Sequence, residues 1–180
     1  MIKCRKQMRL KEYNYSTSGS YFVTICTKNR SCLFGDIVDK KIQLNVFGEL
    51  VQSQWKQLSV RFQNIRLDDH VILPNHIHGI ISVINIVGAI HELPLQQKNP
   101  NNRIYRRNML LPKIIGYFKM NTSKLINQIR QRPGNPVWQR NYYEHIIRND
   151  KDLNRIQTYI DQNINNWEND RNNVPIGELL

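Results

Sequence analysis

The chain is poor in the residues that would staple or segment it. Its three cysteines, Cys4, Cys26 and Cys32, are an odd number with no C-x-x-C spacing. That excludes a disulfide framework and a cysteine zinc cluster, and it points to a reducing compartment. No apolar run reaches the roughly 20 residues of a membrane span, and no apolar segment follows the basic residues 1–11, so neither a membrane helix nor a secretory leader is expected. Repeats and low-complexity tracts are absent as well. With 180 residues, 40% of them hydrophobic, the chain can bury one core and is too short to favour two. The expectation is a single domain over residues 1–180, located in the cytoplasm.

The most telling absence is acid. From Leu93 to Tyr143 there is no Asp or Glu, while Lys98, Arg103, Arg106, Arg107, Lys113, Lys119, Lys124, Arg130, Arg132 and Arg140 all fall there. The whole chain carries a formal charge of +12 and a pI near 9.8. A one-sign block of this length is an electrostatic footprint for a polyanion. It predicts nucleic acid as the partner and association with the nucleoid; the bland alternative is a solvated basic surface.

Residues 21–27 are aromatic and β-branched and follow Ser18-Gly19-Ser20, which reads as a strand entered from a turn. Between residues 45 and 58, Val46, Phe47, Leu50, Val51, Trp55 and Leu58 recur at helical spacing. Residues 65–67 read as a short strand or the approach to one. Residues 70–83 are apolar on both faces, as a central strand should be, and Pro74-Asn75 divides them by a bend or a turn. Residues 85–110 read as a long basic loop. A second helix spans residues 111–130, with Lys113 and Lys124 on one flank of its apolar stripe and Lys119 and Arg130 on the other. Residues 137–147 read as a strand, and Asn149-Asp150 caps a last helix with Leu153, Ile156, Ile160, Ile164 and Trp167 as its stripe. Residues 168–180 form a tail. The order predicts an α+β fold of the ferredoxin-like kind, with helices packed on a mostly antiparallel sheet.

Within this frame, His76 and His78 project from the same side of one strand, with backbones 6–7 Å apart by the ~3.3 Å rise per residue. Two imidazoles there suit a divalent metal, and Gly79 would let a ligand approach the backbone; the alternative is a hydrogen-bonded structural pair. Tyr159 and Asn163, one helical turn apart, lie at the border of the last apolar stripe and so face the seam between helix and sheet. A phenol needs a nearby cation or metal-bound phosphate to become a nucleophile, and an Asn oxygen can complete a metal site that two histidines leave open. Equally, Tyr159 would pack and Asn163 would end the helix. Glu144-His145 is a second polar cluster, able to supply or orient a base. Tyr142 and Tyr143 are the competing nucleophile candidates, and their position in a strand beside Trp138 favours packing or base stacking.

Taken together the chain resembles the REP-associated tyrosine transposases, within the single-tyrosine HUH nucleases. The matching stretches are Tyr21-Phe22-Val23-Thr24, Leu73-Pro74-Asn75-His76-Ile77-His78-Gly79, Gly116-Tyr117-Phe118-Lys119, and Trp138-Gln139-Arg140 through His145-Ile146-Ile147-Arg148-Asn149 to Tyr159-Ile160. The resemblance implies a ferredoxin-like HUH fold that cuts single-stranded DNA beside a hairpin and becomes joined to it through a 5′-phosphotyrosine. By position, His76 and His78 would be paired ligands for Mg²⁺ or Mn²⁺, Asn163 the third ligand and Tyr159 the nucleophile. The sequence departs from the family at Ile164, where Pro often follows the Asn. Relatives act as homodimers or as monomers. DNA contacts are expected from Lys119, Arg140, Trp138, Arg106, Arg107 and Lys124. The competing expectations are a non-catalytic hairpin DNA- or RNA-binding protein with structural histidines, and a metal-dependent nuclease that uses water.

Overall fold

The computed structural model describes residues 13–84 and 107–173. Four strands form an antiparallel sheet in the order β4-β5-β1-β6, made of β1 (Gly19–Cys26), β4 (Ile65–Leu73), β5 (His76–Val83) and β6 (Tyr143–Ile147). β5 is inserted between β1 and β4, which run parallel, and this is the split β-α-β arrangement expected of a ferredoxin-like fold. The expected division at Pro74-Asn75 is a strand-turn-strand: β4 and β5 pair as a hairpin, with Leu73 opposite His76.

Helix α1 (Val46–Lys56) begins where the Asn45 side chain accepts hydrogen bonds from the Phe47 and Gly48 amides, satisfying two of the donors a helix start leaves open. It turns Gly48, Val51 and Trp55 inward. A single turn, α2 (Leu58–Arg61), leads into β4. Helix α3 (Leu110–Ile129) lacks a capping side chain of its own; its first amides are met instead by Ser16 Oγ at 2.9 Å and Tyr15 O at 3.2 Å. α1 and α3 pack together on one face of the sheet, over Tyr21, Val23, Ile25, Ile77 and Ile81. Helix α4 (Asp150–Gln162) is capped by Asn149, with Asp150 and Asp152 favourably placed in its first turn. It crosses to the opposite face, where Ile156 and Ile160 pack on Phe22 and Ile80. The polar chemistry is built on that second face.

Several expectations need correcting. Residues 137–147 are strand only from Tyr143; before it, Val137, Trp138 and Tyr142 dip into the core from an irregular segment with one bridge, Thr27 to Trp138. Pairing with β1 stops at Thr24 and Tyr143 although β1 runs on to Cys26, and residues 137–139 meet the chain just beyond it through that bridge and the bonds Gln139 N to Cys26 O at 2.9 Å and Lys28 N to Val137 O at 2.7 Å. A hairpin of β2 (Gly35–Val38) and β3 (Lys41–Leu44) was not expected; its turn places both Asp39 and Lys40 at positive φ, 51° and 56°. Of the basic segment 85–110, residues 85–106 lie outside the described residues, and α3 already begins at Leu110.

Candidate metal and nucleophile site

Strand alternation sends the even-numbered residues of β5 to the α4 face. His76 and His78 are both fully buried there, and their rings turn toward each other until the two Nε2 atoms are 3.0 Å apart. The outer nitrogen of each ring is fixed. Asn75 donates from Nδ2 to the carbonyls of Arg30 and Asn172 at 3.1 and 2.8 Å, so its Oδ1 must face the imidazole, where it accepts from His76 Nδ1 at 2.6 Å. This leaves a lone pair on His76 Nε2. His78 Nδ1 shares a 2.8 Å hydrogen bond with Thr24 Oγ1, from the neighbouring strand β1. Such outer partners orient a ring and set which nitrogen is free to bind.

Burial pulls the His76 imidazole down to about 4, with Arg30 and Arg171 adding to the effect and the Asp170 carboxylate opposing it. His78 lies well below the usual histidine range through burial, then through His76 and Arg171. Both rings are therefore neutral at pH 7, the protonation state in which imidazole binds metal. The third group is Asp170, whose Oδ2 lies 3.9 Å from His76 Nε2 while its Oδ1 accepts from the Asn172 amide at 2.6 Å. The ligand atoms of His76, His78 and Asp170 all lie within 4.8 Å of one another, a group able to hold a metal ion. The fit is good in chemistry and in scale. Two nitrogens at right angles on an octahedral ion, each about 2.1 Å from it, stand about 3.0 Å apart. Cys26, opposite His76 in the sheet, is not part of this group, and burial pushes its thiol up.

Tyr159 comes to this group from α4. Its Oη is 3.3 Å from His78 Nε2, and its ring meets that of His78 edge-on at 5.2 Å. Burial pushes its phenol up; a side-chain hydrogen bond from Asn163 and the charge of Arg171 act against the rise, while Asp170 adds to it. Asn163 is buried at the end of α4, its Nδ2 donating to the Tyr159 carbonyl at 2.9 Å. The helix ends at Gln162 even with Ile164 in place of the family's Pro. Beyond it the chain turns through a 3-10 segment, Trp167–Asn169, which lays Trp167 over His76 at 6.0 Å and delivers Asp170. Residues 169–172 of the expected tail are thus part of the site, and residues 174–180 lie outside the described residues.

The residues expected to contact DNA divide. Trp138 is 6% exposed, wedged between Phe34 and Phe118 with Nε1 donating to Thr122 Oγ1 at 2.9 Å; it is a core residue, not a stacking platform. Lys119 directs its ammonium at the Gln139 and Arg140 carbonyls, 2.6 and 3.1 Å away, where it holds the segment that precedes β6. Lys124, Arg107 and Arg140 are exposed, and Arg106 lies outside the described residues. Gly79 faces away from the site: a Cβ there would collide with the Trp55 indole on the α1 face. Asn75, Thr24, Trp167 and Asp170 escaped the sequence reading. Asn75, inside the Pro-Asn-His-Ile-His stretch, and Thr24, at the end of the Tyr-Phe-Val-Thr stretch, carried a signal that could have exposed them.

The fold is shared with known proteins. The structure of a REP-associated tyrosine transposase bound to a REP hairpin superposes with a TM-score of 0.50, covering 91% of this chain and 74% of that one at 18% identity. A candidate transposase of Deinococcus radiodurans R1 aligns over 86% of this chain and 97% of its own at 13% identity, with a TM-score of 0.46. No family model matches the chain. An uncharacterised protein of Haemophilus influenzae is 40% identical over 170 residues, 94% of this chain and 93% of its own. The chain belongs to one family with this Haemophilus protein, a family REP-associated tyrosine transposase-like in fold.

Among the described residues no helix is long and apolar enough to cross a membrane.

Proposed function

We propose that the protein is a metal-dependent endonuclease and strand transferase for single-stranded DNA next to a hairpin, with Tyr159 as its nucleophile. The observation that carries this reading is the 3.3 Å approach of Tyr159 Oη to His78 Nε2, at the edge of a neutral, buried imidazole pair joined by a carboxylate. His76, His78 and Asp170 would hold Mg²⁺ or Mn²⁺, and Asn163, whose amide nitrogen is already engaged, would offer its Oδ1 from the end of α4. When bound, the ion supplies charge to offset what develops on a non-bridging oxygen of the scissile phosphate.

The protein's own groups account for the rest. Tyr159 is held at the wall of the site by the packing of Ile156 and Ile160, so its oxygen needs no large movement to attack. Its raised pKa keeps the phenol neutral and unreactive until a cation and a phosphate arrive. In the step itself an O–P bond forms to Tyr159, the bond to the 3′-oxygen breaks, and the phenol proton ends on that oxygen as a 3′-hydroxyl. One phosphodiester replaces another, so attack by a second 3′-hydroxyl reverses the sequence and joins DNA without a nucleotide cofactor. Arg171 and Arg155, beside the phenol, are placed to draw the DNA backbone in.

The test is a denaturing gel of protein, Mn²⁺ and a hairpin-bearing single strand. The expected product is a protein–DNA adduct that is lost with chelator and in Tyr159→Phe. An adduct that persists in Tyr159→Phe refutes the assignment, and cleavage without adduct would show a water-using nuclease. A strand that is bound but never cut, with or without chelator, would show a binding protein with structural histidines.

A further inference from the structure

Beside Tyr159 lies an open cavity of about 460 Å³, within the size range of small-ligand sites. Its construction is aromatic at the bottom, with Arg155, Arg171 and the Asp170 carboxylate also in its lining. Phe22 forms the floor, 5% exposed and stacked on His78 at 5.2 Å. Two tyrosines stand steeply to that floor: Tyr159 at 81° with centroids 6.0 Å apart, and Tyr143 at 70° and 6.4 Å. Tyr143, the first residue of β6, is 39% exposed between the buried Tyr142 and Glu144, and the Arg171 guanidinium lies 5.7 Å from its ring centre. His145, two residues along β6, lines the same cavity, as does Arg155, and Asp152 ties them together at 2.7 and 2.6 Å.

We infer that this cavity is a nucleobase slot, in which Tyr143 stacks on the base of the nucleotide adjoining the scissile phosphate. The inference rests on the proposed function and adds the place where that site holds its substrate's base. Every base offers a π-face to an exposed aromatic ring, and arginine reinforces such stacks. Arg171, at the same wall, can meet a phosphate beside the base. Because Tyr159 is both a wall of this cavity and the partner of His78, only a nucleotide next to the reacting phosphate can occupy it.

The experiment places 2-aminopurine singly at each position of the strand flanking the hairpin and follows its fluorescence and affinity with wild-type protein. The expected result is a severalfold quench at one position adjoining the cut. Tyr143→Leu should abolish that quench and weaken binding about tenfold, while Tyr143→Phe retains both. An abasic site at the same position should weaken the wild type by a similar factor and Tyr143→Leu no further. A quench at no position, or one that survives in Tyr143→Leu, overturns the slot. The adduct gel separates the two readings: adduct without position-specific quench leaves the nuclease and removes the slot, whereas the Tyr143-dependent quench without adduct keeps the slot and removes the nuclease. Since Tyr143 is partly exposed, its replacement should leave the circular dichroism spectrum and melting temperature close to wild type.

Discussion

The two faces of the central sheet are made by the same strands and do opposite jobs. On the face covered by α1 and α3, β1 and β5 present Tyr21, Val23, Ile25, Ile77 and Ile81, closed over by Trp55, Leu111, Ile114 and Phe118. On the face covered by α4, the alternate residues are Phe22, Thr24, His76 and His78, and the apolar cluster is small. Each residue's share in stability or chemistry is thus decided by parity along a strand. The first face stabilises by area and shape, the second sacrifices some stability to keep buried nitrogens neutral and aimed at one point.

Truncating the apolar face should give the largest effect. Trp55 is fully buried and meets Phe118 edge-on at 5.5 Å. Trp55→Ala should destabilise by about 3–5 kcal/mol, measured by urea denaturation in chelator, while the fraction that remains folded binds Mn²⁺ as wild type does. Loss of Mn²⁺ affinity in that folded fraction would break the division of labour between the faces.

Acid should act through the other face. His76 is held at about 4 in the folded protein against an ordinary 6.5, so between those values the unfolded chain binds the additional proton. Stability should therefore be full above about pH 7 and fall as pH drops toward 4, by roughly 3 kcal/mol from this group. His76→Gln should flatten that slope in denaturant titrations of metal-free protein. An unchanged slope would mean that the imidazole is already protonated when folded.

Much of this division could be read in advance. The helical spacing around Trp55 and the alternation around His76-Ile77-His78 carry their own periodicity, and both elements form where that periodicity puts them. Other features had no local signature. The β2–β3 turn uses Asp39-Lys40 at positive φ, where an Asn-Gly pair would have announced it. Trp138 and Lys119 look like nucleic-acid contacts by residue type, but their partners, Thr122 and the Gln139 and Arg140 carbonyls, are contributed by tertiary packing. Asp170 follows Tyr159 by eleven positions in a segment without periodicity, and only the turn after α4 carries it to His76.

Gly79 sharpens the comparison at an intermediate scale. It sits between His78 and Ile80 on β5, and an added methyl would collide with Trp55 Cζ2 and lie 2.9 Å from Cη2. Gly79→Ala should cost about 1–3 kcal/mol through overpacking, with little of that cost remaining in a Trp55→Leu background, because the two changes share one space. Full additivity in the double-mutant cycle would show that the glycine is needed for something other than the indole.

The smallest effects come from exchanging one neighbour for another across the sheet. Val23 and Thr24 are adjacent in β1 and nearly isosteric, yet Val23 packs in the α1–α3 core while Thr24 Oγ1 is 2.8 Å from His78 Nδ1. Val23→Thr places a hydroxyl among apolar side chains and should cost about 1–3 kcal/mol with Mn²⁺ affinity unchanged. Thr24→Val removes one hydrogen bond and should cost about 1 kcal/mol, but it frees the His78 ring to turn and should weaken Mn²⁺ binding by about tenfold, the lower end for an outer partner of a metal ligand. Calorimetric Mn²⁺ titration and urea melts of the two variants should therefore rank them in opposite orders. If both assays rank the variants alike, parity along β1 does not separate packing from chemistry, and the second face is simply more core.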